Sequence, residues 1–255
     1  MKEFVFTLSL ATLFVALISN VLAQSQQDAL HAADGNSFTR IVSIFVAPIP
    51  GAPFTATVST EWTRQTSDGA TIVVKKRRMV ARDSEGHVFE ERRRFVPADS
   101  TAQSLLFQMD YVDPTRRTRT ACLPASMVCD VRNFFDPAST ATIPVGPMAD
   151  GKNYLSRADL GKGETKGLET IGTRETITTG PGTVGNDREV NLAKEFWYSP
   201  KLGINLLVKR MDPTQGTQVF TVSDIRLAEP DARLFAIPAK YKMIDDRPAT
   251  PTPAK

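Results

Sequence analysis

Few side chains in this sequence have the types and spacing that catalysis requires. The histidines are His31 and His87, and neither lies in a strand-turn-helix elbow of the Gly-x-Ser-x-Gly type that exposes a nucleophilic serine. Two histidines in separate segments and two cysteines do not supply the clustered ligands that a catalytic zinc ion needs. The sequence therefore predicts a non-enzymatic protein, and no metal ion or cofactor is expected.

Because the chain contains several carboxylates, a hydrolase is an alternative function. A glycosidase needs two carboxylates that flank the bond to be cleaved, and the chain has candidates. They are Glu90, Glu91, Glu169, Glu175 and Asp187. The glycine-rich residues 161–167 lack the residue order of a phosphate-binding P-loop, so they predict a hairpin turn.

The densest charge lies in residues 75–78 and 92–94, on either side of a turn predicted at residues 84–87. A hairpin here places Arg77 or Arg78 roughly opposite Arg92 or Arg93, which costs stability unless other charges compensate. Successive strand residues point to opposite faces, so charge is expected on both. Two interpretations stay open: a solvated strand end, or a cationic patch for an anionic partner such as lipid headgroups. The patch comprises Lys75, Arg77, Arg78, Arg92, Arg93 and Arg94.

Cys122 and Cys129 are the two cysteines of the chain. In an exported protein, two nearby cysteines most often form a structural disulfide. Free thiols or a redox-active pair are the alternative, but the spacing is not Cys-x-x-Cys.

The N-terminal residues predict export. Lys2 precedes an apolar run over residues 4–18, and Val21 and Ala23 supply the small residues of a cleavage site, which is the arrangement of a signal peptide. The run is shorter than the roughly 20 residues that span a bilayer. We therefore expect a periplasmic or extracellular protein that is not transmembrane after cleavage. The net charge of +3 does not favour nucleic acid as a partner.

The predicted organisation follows from composition and patterning. Residues 1–23 are the signal peptide, 24–36 a leader that is a short helix or disordered, 37–244 a single antiparallel β domain, and 245–255 a disordered proline-rich tail. The strongest signal covers residues 195–225, where three strands are joined by turns at residues 199–203 and 212–216, each with Pro and Gly. Other β-rich stretches include residues 38–46, and Asp231 could cap one helical turn.

Altogether the pattern predicts a mainly β fold, α+β at most, with roughly ten strands and little helix. The strands would form a strongly curved antiparallel sheet or half-open barrel. All connections can be short hairpins, so nothing in the pattern requires a parallel crossover.

The C-terminal third resembles a known superfamily. Residues 203–210, 220–225 and 234–244, with Phe235 and Pro238 as a Phe-x-x-Pro segment, are similar to the end of the LolA/LolB-like superfamily of outer-membrane lipoprotein carriers and RseB-type regulators. Residues 197–203 also resemble a phrase found in uncharacterised secreted bacterial proteins. The resemblance implies a curved antiparallel sheet that cups an apolar cavity.

These observations favour an exported binding protein of the cell envelope that holds a lipid, a lipoprotein acyl chain or another apolar ligand. The predicted cavity walls are Trp62, Phe107, Trp197 and Leu206, with the cationic patch meeting an anionic head. One alternative is an envelope protein–protein interaction or stress-signalling module without a small ligand. The hydrolase is the other.

Overall fold

The computed structural model describes residues 31–33, 44–135 and 144–247. The predicted signal peptide, the leader except for residues 31–33 and the tail beyond residue 247 lie outside the described residues. Of the strand predicted at residues 38–46, residues 44–46 are described, and they are not in a strand.

Within these described ranges, fourteen strands form one sheet. They are β1 (Phe54–Gln65), β2 (Thr71–Arg82), β3 (Val88–Arg93), β4 (Val96–Pro97), β5 (Leu106–Asp113), β6 (Thr118–Leu123), β7 (Val128–Asn133), β8 (Gly146–Pro147), β9 (Asn153–Thr165), β10 (Leu168–Thr179), β11 (Val190–Ser199), β12 (Ile204–Asp212), β13 (Gly216–Arg226) and β14 (Lys242–Asp245). Their order is β14-β7-β6-β5-β3-β2-β1-β13-β12-β11-β10-β9-β8, with β4 beside β2. The sheet ends at β14 and β8, so it is open rather than closed into a barrel.

The mainly β prediction is confirmed, whereas the estimate of roughly ten strands is too low. Strands β4 and β8 are two residues long, too short to carry a periodic signal. Register shifts that mark bulges or irregularities interrupt several strand pairs, for example between Gly172 and Thr173. Bulges bend a strand and increase its twist, which favours a curved sheet.

The predicted meander is confirmed as β11, β12 and β13, which pair antiparallel in sequence order. Ile204, Leu206 and Val208 of β12 are at most 1% exposed, as their alternation predicts. The second turn ends at Gly216, where φ is 84° and an added Cβ would lie 2.1 Å from the Thr63 oxygen. Glycine is therefore required there by both the backbone and the neighbouring strand.

The C-terminal segment departs from the expected short hairpins. After β13 the chain makes a three-residue 3-10 turn (Ala232–Leu234), where the Asp231 side chain accepts a hydrogen bond from the Arg233 N–H, so the predicted cap is confirmed. The chain then joins the sheet as β14, which pairs with β7 in parallel. The sequence pattern does not indicate this parallel pair, because it depends on a long return connection. Within the described residues, no helix has the length and hydropathy needed to cross a bilayer.

The sheet has two covered faces. The core face carries a large apolar cluster that includes Phe54, Val58, Phe196, Leu206 and Phe220. The cleft face, on the opposite side of β2, β3, β5, β6 and β7, carries Ala81, Phe89, Tyr111 and both cysteines, and residues 234–241 pack against it. Cys122 and Cys129 pair across β6 and β7 and are bonded, which confirms the predicted disulfide.

Arg82 fastens a covering segment to the core face. This fully buried guanidinium donates to the carbonyl oxygens of Ala47 (2.9 Å), Ala52 (3.0 and 2.8 Å) and Leu202 (2.6 Å). It also lies 5.1 Å from the centre of the Phe54 ring. One cation therefore joins β2 to residues 47–52 and to the turn between β11 and β12.

Candidate functional site

Strands β2 and β3 separate at the charged segments. Their pairing covers Val80–Glu90, Ala81–Phe89 and Arg82–Val88, and beyond it the Met79 N–H donates to the Glu91 carboxylate at 2.9 Å. The predicted contact between like charges is therefore relieved by separation of the strands and by carboxylates that lie between the cations.

Ion pairs extend from β2 to β6 on the core face. Arg78 lies 3.4 Å from the Glu90 carboxylate, and Asp110 accepts hydrogen bonds from Arg92 and, at 3.0 Å, from Arg119. Burial opposes ionisation of Asp110, but the charges of Arg92 and Arg119 bring its pKa below the ordinary value. We call these five residues and Lys76 the charged row.

The six residues of the predicted patch divide between the two faces. Arg78 and Arg92 belong to the charged row. The other four residues each have a different partner. Arg77 pairs with Asp224 at 3.2 Å, and Lys75 donates to the Ala98 carbonyl oxygen. Arg93 makes two hydrogen bonds to Glu91, of 2.8 and 2.9 Å, and Arg94 lies over the Phe107 ring. The interpretation as a solvated strand end holds for Arg77. It is wrong for Arg78, which is 4% exposed and donates to the Ile44 carbonyl oxygen. The anion-binding role of the patch stays a prediction.

Lys76 occupies a different environment from its neighbours. Its ammonium lies 4.6 Å from the centre of the Phe95 ring, and the Phe95 ring lies 6.0 Å from that of Trp62. Burial, followed by the charges of Arg78 and Arg92, lowers the pKa of Lys76 to about 8. Lys76 was not among the predicted site residues, although alternation along β2 places it on the same face as Arg78.

The four predicted cavity residues do not surround one space. Trp62 and Leu206 lie on the core face, where Leu206 is fully buried, and Trp62 donates to the Gln215 carbonyl oxygen at 2.7 Å. Trp197 points to the other side of the sheet and lies over Gly163 and Gly172, where an added Cβ would be 2.7 and 2.9 Å from its ring. Phe107 lies under Arg94 on β5. Their role in ligand binding stays a prediction.

A cleft of about 390 Å³ opens on the cleft face, between the sheet and the segment that follows the 3-10 turn. Tyr111, Phe235 and Ile237 contribute apolar surface, while His87, Asp113 and Arg116 contribute polar groups. Burial and the neighbouring Tyr241 raise the pKa of Tyr111, so its phenol is neutral at physiological pH. Phe235, part of the segment that carries the family resemblance, therefore lines this cleft.

His87 is held by carboxylates. Its Nδ1 atom lies 2.8 Å from Asp83 Oδ2, and its Nε2 atom lies 3.8 Å from Asp113 Oδ1. His31 stacks on Phe196 with ring centres 3.9 Å apart and lies 3.3 Å from the Glu175 carboxylate. The two histidines thus belong to separate contacts. In the described parts of the chain, no group of three or more His, Cys, Asp or Glu side chains is arranged to hold a metal ion.

Four of the five candidate acids are ion-paired. Glu90 pairs with Arg78, Glu91 with Arg93, Glu169 with Lys162, and Glu175 with Arg157. Burial raises the pKa of Glu175, but hydrogen bonds and charge from His31 and Arg157 lower it to about 2. A carboxyl group with so low a pKa is ionised near neutral pH and cannot act as a general acid there.

Comparisons with known proteins give structural matches. No protein-family model and no curated protein sequence matches the chain. Among solved structures, MucB is 13% identical with a TM-score of 0.38, over 87% of this chain and 65% of that chain. The Pseudomonas aeruginosa MucA/MucB complex matches at 12% identity and a TM-score of 0.38, over 75% of this chain and 58% of that one. A LolA superfamily protein from Nitrosomonas europaea matches at 11% identity and a TM-score of 0.27, over 74% of this chain and 92% of that one.

Structures of the superfamily that the C-terminal third resembles are thus among those to which this chain is similar. This chain spans less than two thirds of the length of the matched MucB structures. What those proteins bind is therefore not assigned to this chain by similarity.

Proposed function

We propose that this chain is an exported, non-enzymatic binding protein of the cell envelope, and that the cleft beside Phe235 holds an apolar group of a lipid or lipoprotein. The observation that carries the proposal is the cleft itself. Its volume of about 390 Å³ falls in the range of small-molecule sites, about 300–1,000 Å³. The cleft is lined by both apolar and polar side chains, and sites for small molecules combine the two.

The contacts of the cleft fit an amphiphilic ligand. Tyr111 and Phe235 belong to or pack against the apolar cluster of the cleft face, so an apolar group placed beside them leaves water. Arg116, 81% exposed along its side chain, lies at the same cleft and is 3.7 Å from Asp113. Its guanidinium is accessible to a polar or anionic head of the ligand.

Two features support a binding function rather than catalysis. The ring nitrogens of His87 face carboxylates, whereas a Ser-His or Cys-His mechanism requires a histidine that faces the nucleophile. The candidate acids Glu90, Glu91, Glu169 and Glu175 are each ion-paired. These side chains therefore have contacts that account for their positions without a reaction.

Filling the cleft tests the proposal. Ala236 lines the cleft, so Ala236→Trp should occupy its volume, whereas Ala239→Trp adds the same side chain at an exposed position of the following turn. Binding of a dansyl-labelled fatty acid is measured by fluorescence titration. We expect Ala236→Trp to weaken binding at least ~10-fold, equivalent to about 1.4 kcal/mol, and Ala239→Trp to leave it unchanged. Absence of binding by the unmodified protein, or equal affinity in both variants, would contradict the proposal.

A second function, an envelope interaction module without a small ligand, is favoured by the edge of the sheet at β14. Its four residues are exposed, and Met243 and Ile244 are 46% and 39% exposed, next to the turn where Met127 is 48% exposed. Edge strands with apolar side chains can pair with a strand of another protein. A photo-crosslinker at Ile244 would then capture a specific envelope protein, and one at the exposed Tyr154 of β9 would not.

A further inference from the structure

We propose that Lys76, together with Arg92 and the Thr60 hydroxyl, forms a binding site for a phosphate group on the core face, at the point where β2 and β3 separate. This site is distinct from the cleft beside Phe235. It does not depend on the function proposed above.

The first observation is the position of Lys76. Along β2 it lies two residues from Arg78, and along β3 Arg92 lies two residues from Glu90, which pairs with Val80. Because side chains alternate between faces, Lys76, Arg78 and Arg92 project from the same side of the sheet. On this side of β2 the pairing with β3 ends at Val80 and the pairing with β4 begins at Lys75, so Lys76 and Arg78 lie in the unpaired interval between the two.

The second observation is the imbalance of charge in the charged row. The Arg78–Glu90 pair is balanced, but Arg92 and Arg119 share the single carboxylate of Asp110. The Lys76 ammonium is located by its contact with the Phe95 ring, and both charged neighbours that act on its ionisation, Arg78 and Arg92, are cations. Apart from the balanced pair, three cations therefore share one carboxylate, which leaves two excess positive charges. A phosphate monoester carries about −1.5 to −2 at neutral pH, so it would neutralise this excess.

The third observation is an unpartnered hydroxyl at the same place. Thr60 of β1 is directly opposite Lys76 in the register of the two strands. Its side chain is on the core face and only 2% exposed, yet among the described residues the Thr60 Oγ1 atom has no hydrogen-bond partner. Leaving a buried hydroxyl unbonded costs about 1–3 kcal/mol, and a phosphate oxygen bound at Lys76 would accept its hydrogen bond.

The aromatic rings next to Lys76 limit the access of water to its ammonium group, so the site favours a bound anion over water as the partner of this group. Phe95 lies under the Lys76 ammonium and next to Trp62, so part of the amine is removed from water. Burial and the neighbouring guanidinium groups lower the pKa of Lys76 to about 8. A bound phosphate would place a negative charge among these cations and so offset their mutual repulsion. The phosphate is therefore stabilised most strongly at Lys76.

The test measures whether phosphate protects Lys76 from acetylation by an N-hydroxysuccinimide ester in the full-length protein, with labelled sites quantified by peptide mass spectrometry. Three probes are compared: inorganic phosphate, phosphatidylcholine vesicles that contain phosphatidic acid, and vesicles of phosphatidylcholine alone. Protection of Lys76 by inorganic phosphate supports a site for a free phosphate. Protection only by the phosphatidic acid vesicles supports a site for a lipid headgroup. Protection by none of the probes, or equal protection at Lys75, would overturn the proposal.

Variants supply a second readout. Lys75→Met removes the neighbouring charge on the opposite face of β2, and Lys76→Met removes the proposed ligand-binding charge. We expect Lys76→Met to weaken binding of the protecting probe ~10-fold or more, and Lys75→Met to change it less than ~2-fold. If Lys76→Met fails to fold, the protection measured on the unmodified protein still decides the question.

Discussion

Replacing Arg82 by methionine should be among the most destabilising single changes in the chain. The Arg82 guanidinium is fully buried and makes four hydrogen bonds, all to carbonyl oxygens. Burial lowers its pKa, to about 10, so the side chain is still charged at neutral pH. Methionine would retain the apolar contacts but leave the carbonyl oxygens of Ala47, Ala52 and Leu202 without this donor.

The magnitude follows from these bonds. Hydrogen bonds to charged groups are worth about 1.5–3 kcal/mol each, but desolvation of the guanidinium offsets much of that sum, as it does in buried ion pairs. We therefore expect a loss of about 3–5 kcal/mol in the free energy of unfolding. With a urea m value of about 2–3 kcal/mol/M, the unfolding midpoint would fall by about 1–2.5 M.

Arg77→Met is the matched control, because Arg77 is on the same strand but forms an exposed ion pair with Asp224. Such pairs contribute about 0–1 kcal/mol, so its midpoint should change little. Urea unfolding followed by tryptophan fluorescence measures both variants. If Arg82→Met loses no more stability than Arg77→Met, the assignment of Arg82 as the anchor of residues 47–52 is refuted.

Three further predictions concern a buried carboxylate, a glycine under Trp197 and the disulfide. The pKa of Glu175 is about 2 in the folded protein and 4.5 ordinarily. The contribution of Glu175 to the free energy of unfolding is therefore fully present above pH 4.5 and is lost as the pH falls towards 2. Glu175→Gln should therefore cost up to about 3 kcal/mol at pH 7 and flatten the acid dependence of urea unfolding; parallel pH curves would contradict this. Gly172→Ala should cost about 1–3 kcal/mol, because the new Cβ would lie 2.9 Å from the Trp197 ring, whereas Gly180→Ala, with nearest atoms 4.0 Å away, should be close to neutral in thermal unfolding. Replacing both cysteines by serine should cost about 2–3 kcal/mol through loss of the short closed loop, and equal stability of the oxidised and reduced proteins would contradict that value.

Local signals explain what could be predicted of the fold. The meander of β11 to β13 is encoded by two turns and by alternation of Ile204, Leu206 and Val208, all within about thirty residues. The disulfide joins two residues on adjacent strands. The cap at Asp231 is likewise local, because its acceptor and donor are two residues apart.

Non-local contacts explain what could not be predicted. The parallel pairing of β14 with β7 joins segments more than one hundred residues apart. Burial of Arg78 and Arg82 depends on carbonyl oxygens of residues 44–52 and Leu202, and no pattern within β2 indicates those partners. Of the two interpretations that sequence patterning left open, the solvated strand end does not describe these buried, hydrogen-bonded arginines.

The candidate site likewise has parts that local sequence signals indicate and parts that depend on non-local contacts. Phe235 was singled out by the resemblance of the C-terminal segment, but the cleft it lines depends on how that segment returns over Tyr111. Trp62, Phe107, Trp197 and Leu206 were grouped by residue type, and their faces differ. Lys76 could have been identified from alternation along β2, since it shares the face of Arg78.

Native mass spectrometry of the protein purified from the cell envelope, followed by lipid extraction, tests the central claim most directly. The proposed function predicts a bound mass of several hundred daltons that is recovered as lipid from the unmodified protein and from Ala239→Trp, and that is lost from Ala236→Trp. A bare protein mass for the unmodified chain, together with no uptake of an added fatty acid, would contradict ligand binding and leave the β14 edge as the functional surface to test.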